Sequence, residues 1–301
     1  MPSRLPALAQ NSPNGRLLSP ISGCNRGIGL IDGCPLGGPL DAILPHKAAT
    51  WLHALYSIGG HPDAMKVLIV SDVHANLEAL EAVLAEPYDE LWVLGDLVNY
   101  GPNPAEVVDL VRRHASLVVQ GNHDYAIGAG ADPRCSAAFR EMARAMQNYT
   151  EPLLRADQRV FLRSLPRTAE RASDGCRFFL CHATPAEPLF TYCPAEPARW
   201  APEIAGLQAD IVLAGHTHLP FTMNLGERRI VNPGSVGQPK NGAPEARYAV
   251  WEDGHLSLQS RPYPMEDTVR KILSLPVPME IRSRLAAVLR WGSAPALEKG
   301  V

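Results

Sequence analysis

The chain has 301 residues, 46% hydrophobic and 20% charged, with a net charge of −3. That balance fits a globular domain able to bury its own core, and it lacks the Lys/Arg excess of a broad nucleic-acid-binding face. No run of about 18 apolar residues occurs, which excludes a membrane-spanning helix.

Residues 1–64 read differently from the rest. Many of the 28 prolines fall here, GCPLGGPL (33–40) is a clear example, and charges are sparse. Such a stretch cannot bury enough apolar surface to offset its ordering entropy, so a low-complexity, disordered extension is expected. Only Asp41–Tyr56 could form a short helix, and Pro45 would interrupt it. The second reading is that translation starts at Met65, directly before the first strong strand.

From Lys66 to the end, 65–301, the pattern is that of one folded domain. KVLIVSD (66–72) is a buried strand and ANLEALEAVLAE (75–86) has helical spacing. ELWVLGD (90–96) is a second strand, and PAEVVDLVRRHA (104–115) is a helix opened by Pro104. SLVVQGNHD (116–124) is a third strand running into a turn. This is the strand–helix alternation of parallel βαβ units. Residues 133–165 read as one or two helices, expected as a cap element over a cleft. CRFFLCHAT (176–184) and ADIVLAGHTH (209–218) are further strands. Hairpins are expected at 221–232 and 246–260, turning at Leu225-Gly226 and Asp253-Gly254. Helices over 265–275 and 279–290 close the chain.

The six cysteines, Cys24, Cys34, Cys135, Cys176, Cys181 and Cys193, contain no C-x-x-C pair. The N-terminus lacks the continuous apolar core of a secretory signal. Reduced thiols and a cytoplasmic protein are therefore expected.

Polar residues cluster where the strands end: Asp72-Val73-His74, Gly95-Asp96, Gly121-Asn122-His123-Asp124, Cys181-His182 and Gly215-His216-Thr217-His218. Ligands bind at such ends in open α/β sheets. Five of the ten histidines sit there; the others are His46, His53, His61, His114 and His255. Carboxylates and imidazoles without thiolate suit Mn, Fe, Zn, Co or Ni. On an extended chain, His216 and His218 point the same way and reach one metal cluster. Stability alone gives no reason to gather these groups at one edge, because unpaired they are costly. Trp200, Trp251, Phe178, Phe179 and Cys181 read as core, and Asn232-Pro233-Gly234-Ser235 as a tight turn.

The ordered set D-x-H, G-D, G-N-H-D, H, G-H-T-H resembles the calcineurin-like metallophosphoesterase superfamily over about Met65–Tyr263. VNPGSVGQPK (231–240) resembles its small bacterial and archaeal phosphodiesterase-like branch. The resemblance implies an α/β sandwich of two mixed β-sheets flanked by helices, a four-layer αββα fold. It also implies two divalent metal ions, manganese first among them. One would be held by Asp72, His74, Asp96 and His218, the other by Asp96, Asn122, His182 and His216. Asp96 would bridge ions about 3.5–4 Å apart and screen their repulsion. A bridging hydroxide would attack phosphorus in line. His123 is expected as the general acid, or as a donor that stabilises the transition state.

Asn99, Tyr100 and Asp124 are expected around the ions or along the substrate cleft. In the protein phosphatase branch, Asp and Arg stand at the positions of Asn99 and Tyr100. Asn can still accept a hydrogen bond from the catalytic histidine, but the bidentate phosphate clamp is lost. These departures favour a small phosphodiester or nucleotide substrate. The alternatives are a phosphomonoesterase, a nucleoside-polyphosphate hydrolase, or a non-catalytic scaffold of the retromer-subunit type.

Overall fold

A computed structural model of the chain describes residues 65–293. The expected extension 1–64, its segment 41–56, Cys24 and Cys34 lie outside these residues. The apolar run β1 (Val67–Val70) leads through α1 (Leu77–Leu84) to β2 (Glu90–Val93), and α2 (Pro104–His114) leads to a short β3 (Leu117–Val118). Three helices follow: α3 (Asn122–Ala129), α4 (Ala137–Thr150) and α5 (Ala156–Ser164). Then come β4 (Thr168–Ser173), β5 (Cys176–Cys181), α6 (Pro197–Ile204) and β6 (Ile211–Leu213). The hairpins β7 (Phe221–Leu225) with β8 (Arg228–Asn232), and β9 (Ala246–Glu252) with β10 (His255–Arg261), precede α7 (Met265–Leu273) and α8 (Met279–Trp291).

Local chemistry explains the helix starts. Asn76 Oδ1 accepts the Ala79 amide and caps α1. Pro104 fills the first turn of α2, with Glu106 near its positive end and Arg112, Arg113 and His114 near its negative end.

The strands form two five-stranded mixed sheets, ordered β10-β9-β1-β2-β3 and β4-β5-β6-β8-β7. In the first, β1, β2 and β3 run parallel and β9 pairs antiparallel with β1. In the second, β5, β6 and β8 run parallel, with β4 and β7 antiparallel at the edges. Alternation along each strand divides the core. Val67 and Ile69 face the second sheet, packing with Phe178, Leu180, Ile211 and Leu213. Leu68 and Val70 face the opposite way, onto Leu80 and Val83 of α1 and Val107, Val108 and Val111 of α2. On the far face of the second sheet, Phe179, Cys181 and Val212 pack on Trp200 and Ile204 of α6. The result is four layers, helix–sheet–sheet–helix.

Three elements escape the reading by periodicity. β4 is a half-exposed edge strand of small and polar residues, TAERAS; Asp174-Gly175 after it is its only turn signal. α3 carries no apolar stripe, and it begins where a turn is expected, at Asn122. α6 contains Pro202 in its interior.

Between the sheets, Phe178 lies edge-on to Trp92 at 5.1 Å and to Trp251 at 5.0 Å between ring centroids. All three are at most 1% exposed. Phe178→Ala should cost about 3–5 kcal/mol, because the void cannot collapse between two sheets anchored by tryptophans. Chemical denaturation followed by tryptophan fluorescence checks this.

Candidate metal centre

Each strand delivers its polar group at its C-terminal end. Asp72 and His74 follow β1, Asp96 follows β2, His182 follows β5, and His216 and His218 follow β6. Asn122, His123 and Asp124 form the first turn of α3, beyond β3. None of these nine residues is more than 3% exposed.

The loops turn by an uncommon route. Asp72 (φ 53°), His74 (46°), Asp96 (56°), His216 (65°) and His218 (60°) all adopt left-handed backbone, as do Asn99 and Tyr100. Such conformations cost about 1–3 kcal/mol each and persist where surrounding structure imposes them. They also correct one expectation. The Gly-His-Thr-His stretch is not extended; its histidines still divide as the resemblance implies, His216 standing with Asp96 and His182, and His218 with Asp72 and His74. Gly121 is required for a separate reason: a Cβ there would lie 2.1 Å from Asp96 Oδ1.

In the first cluster, His218 Nε2 is 3.2 Å and His74 Nε2 3.8 Å from Asp72 Oδ1. In the second, His182 Nε2 is 3.3 Å from Asp96 Oδ2 and 3.1 Å from both Asn122 Oδ1 and His216 Nδ1. The clusters join at Asp96, whose Oδ2 also stands 3.8 Å from His74 Nε2. Asp96 Oδ1 is turned away, accepting the His123 amide at 2.8 Å.

The hydrogens point outwards. Nδ1 of His74, His182 and His218 faces the carbonyls of Val98 (3.2 Å), Leu94 (2.8 Å) and Gln238 (2.6 Å). Each carbonyl needs an N–H, so each Nε2 presents a lone pair inward. Asn122 Nδ2 donates to the Pro133 carbonyl at 2.7 Å, which turns its Oδ1 inward as well. The lone pairs of His74 and His218 therefore oppose each other at 3.1 Å. Among the described residues, none donates a hydrogen bond to the buried Asp72 Oδ1. Acceptors converging without donors fit cations, and nitrogen and oxygen donors without sulfur fit borderline divalent ions.

The charges agree. Burial disfavours the ionised form of Asp96, but His182 and His123 outweigh it and hold the carboxyl well below its usual range. At His182 a proton takes the place of a cation: burial opposes protonation, yet the Asp96 and Asp72 carboxylates raise the imidazole to about 9. A divalent ion would bind there by displacing the Nε2 proton and exposing the lone pair. Burial pushes His216 down to about 3 and His74 well below the usual imidazole value.

His123 lies beside this cage. Asn99 Nδ2 donates to its Nδ1 at 2.7 Å and to the Ala143 carbonyl at 3.2 Å, while Asn99 Oδ1 accepts the Tyr100 amide at 3.0 Å. The expectation that Asn99 accepts from this histidine is thus reversed, because its oxygen is already engaged. The arrangement places the His123 proton on Nε2, and burial lowers the imidazole to about 4. Tyr100 is no clamp: it is buried, with its ring edge-on to His74 (4.9 Å) and His123 (4.8 Å). Asp124 accepts the amides of Asp96, Leu97 and Gly121 at 2.8, 2.9 and 3.0 Å, tying two ligand loops together. Burial and the neighbouring Asp96 raise it to about 7. Asn232 and Ser235 tie this turn to the ligand loops, Asn232 Nδ2 donating to the Gly215 carbonyl and the Ser235 hydroxyl to the Asp72 carbonyl.

Sequence reasoning missed two residues here. Cys135 Sγ is 3.4 Å from both His123 Nε2 and the Tyr100 hydroxyl. The Tyr192 ring stacks on His216 at 4.0 Å. Both lie in irregular loops, where no periodicity marks them. Of the helices in 133–165, α4 touches this rim through Ala143, whereas Leu162 of α5 packs into the core beneath the first sheet.

The profile of the calcineurin-like phosphoesterase superfamily domain matches residues 65–253. The chain is 30% identical over 211 residues to the phosphodiesterase YfcE of Escherichia coli, covering 64% of this chain and 91% of that protein. It is 28% identical over 241 residues to an uncharacterized protein of Methanocaldococcus jannaschii, covering 73% and 96%. Among solved structures, a metallophosphoesterase from Sphaerobacter thermophilus aligns with TM-score 0.65 and 34% identity, covering 75% of this chain and all of that one.

If both clusters fill with divalent ions, Asp96→Asn should lower the metal content by at least one ion per chain, since a neutral amide at the junction of the clusters cannot offset two divalent charges. Metal analysis after loading and desalting checks this; two retained equivalents would refute the sharing.

Proposed function

Since the chain belongs to the calcineurin-like phosphoesterase superfamily and is a metal-dependent phosphoester hydrolase, we propose that it is a dinuclear phosphodiesterase acting on small phosphodiesters or nucleotides. The observation that carries this reading is the pair of inward-facing clusters meeting at Asp96 Oδ2. Asp72, His74, Asp96 and His218 would hold one divalent ion, and Asp96, Asn122, His182 and His216 the other, with manganese first among the candidates. When bound, such a pair supplies Lewis acidity and a water acidic enough to act as nucleophile near neutral pH.

The protein's own groups do the rest. Asp96 Oδ1 and Asp124 fix the loops by accepting backbone amides, which keeps the ligand atoms preorganised. His123 presents an Nε2–H that Asn99 keeps in that tautomer. A neutral imidazole of this kind acts as a hydrogen-bond donor to a phosphoryl or leaving oxygen, which favours the donor role over full proton transfer. Phosphodiesters are favoured for two reasons. No arginine stands at Tyr100 to grip a dianionic monoester. YfcE, a relative along most of its length, is a phosphodiesterase. The thiols of Cys135, Cys181 and Cys193, buried and without disulfides, support a reducing, cytoplasmic setting.

With manganese added, bis-p-nitrophenyl phosphate should be cleaved with a higher kcat/KM than p-nitrophenyl phosphate; the reverse order would reassign the enzyme to monoesters. His123→Ala should keep both ions and lose about 10²–10³-fold in kcat, the loss expected for one transition-state donor. Collapse of the metal content in that variant would make His123 a ligand.

A further inference from the structure

The stretch that closes the resemblance, VNPGSVGQPK (231–240), ends in a lysine that the reading above leaves without a task. Its base is rigidly mounted. The amides of Val236 and Gly237 donate to the carbonyls of Ser71 and Asp72 at 3.0 Å each, and the Ser235 hydroxyl donates to the Asp72 carbonyl at 2.7 Å. Two residues before Lys240, the Gln238 carbonyl orients His218. The lysine is thus carried on the frame that sets the first cluster.

Its ammonium has no anionic partner. Among the described residues, no carboxylate forms an ion pair with it; Nζ lies instead over the Phe139 ring of α4, 4.5 Å from the centroid. The residue as a whole is only partly buried. The ammonium nonetheless sits deep enough that burial lowers it to about 8, against the opposing pull of Asp72, Cys135 and Asp96. A cation is therefore held on an aromatic face, within electrostatic reach of both clusters and of Cys135, which touches His123. Burying an ammonium without a counter-ion is costly unless an anion arrives. Once Asp72 and Asp96 are neutralised by bound cations, the anion still lacking is the substrate's.

We propose that Lys240 binds a phosphoryl oxygen of the substrate, supplying from the loop after β8 the positive charge that Tyr100 cannot. This rests on the phosphoesterase reading above. The ligand chemistry is a tetrahedral phosphorus oxyanion, common to a diester, a monoester and inorganic phosphate. Lysine suits the task as a point charge on a flexible stem, where arginine would impose a planar fork.

The test compares manganese-loaded wild type, Lys240→Met and Lys240→Arg. Methionine keeps the stem's volume and its contact with Phe139, so the fold is retained. Titration with inorganic phosphate by calorimetry should show binding weakened about 10- to 100-fold in Lys240→Met, as expected for a lost charge-assisted hydrogen bond. The kcat/KM for bis-p-nitrophenyl phosphate should fall by a similar factor, with two metal ions and the unfolding midpoint unchanged. Lys240→Arg should recover most of the loss. Unaltered phosphate affinity in Lys240→Met, or a loss that merely follows lost metal, overturns the inference. Wild-type protein that holds no metal and cleaves neither ester would instead sink the diesterase reading. In that case the phosphate titrations of wild type and Lys240→Met still decide the role of Lys240.

Discussion

The site depends on hydrogen bonds that lead away from it. Three imidazoles give their Nδ1 protons to main-chain carbonyls at Val98, Leu94 and Gln238, and Asn122 gives its amide hydrogen to Pro133. Without those anchors each ring could present either nitrogen, and the inner faces would be a mixture of donors and acceptors. With them, each Nε2 is aimed inward as an acceptor, that of His182 once it releases the proton its carboxylate neighbours favour. Mutual repulsion of lone pairs is then built into the folded chain, and the strained left-handed turns at Asp72, His74, Asp96, His216 and His218 hold it in place. The packing energy of the two sheets offsets that strain.

Much of this is legible in the sequence because strand ends are legible. An apolar run of four to six residues followed at once by Asp, His or Asn gives both the element and the address of its polar group. Asp72, Asp96 and His182 are legible in this way, each just beyond the end of β1, β2 or β5. What periodicity cannot convey is the path of the chain beyond the strand. His216 and His218 show the difference. Read as extended they point the same way; in left-handed backbone they turn apart, one to each cluster, as the resemblance to the superfamily implies. The sequence places Asn122 in a turn, whereas it opens α3, because the helix lacks an apolar stripe. Cys135 and Tyr192 reach the site from irregular loops, by tertiary contact alone.

Asn99 illustrates how one atom resets a mechanism. An aspartate beside Nδ1 would accept a proton there and favour a charged imidazolium. The Asn99 oxygen is engaged by the Tyr100 amide, so its nitrogen faces His123. The ring is held neutral with one fixed donor. Tyr100, buried against His74 and His123, fills space where another branch keeps a guanidinium.

Each cluster draws on both sheets. Asp72 and His74 come from the first and His218 from the second; Asp96 comes from the first and His182 and His216 from the second. An ion in either cluster would therefore be a rivet through the sandwich. Sliding one layer past the other would break its coordination set, so loading would be linked to the cohesion of the two halves. Chelation would then act on this fold as an unfastening as well as an inhibition.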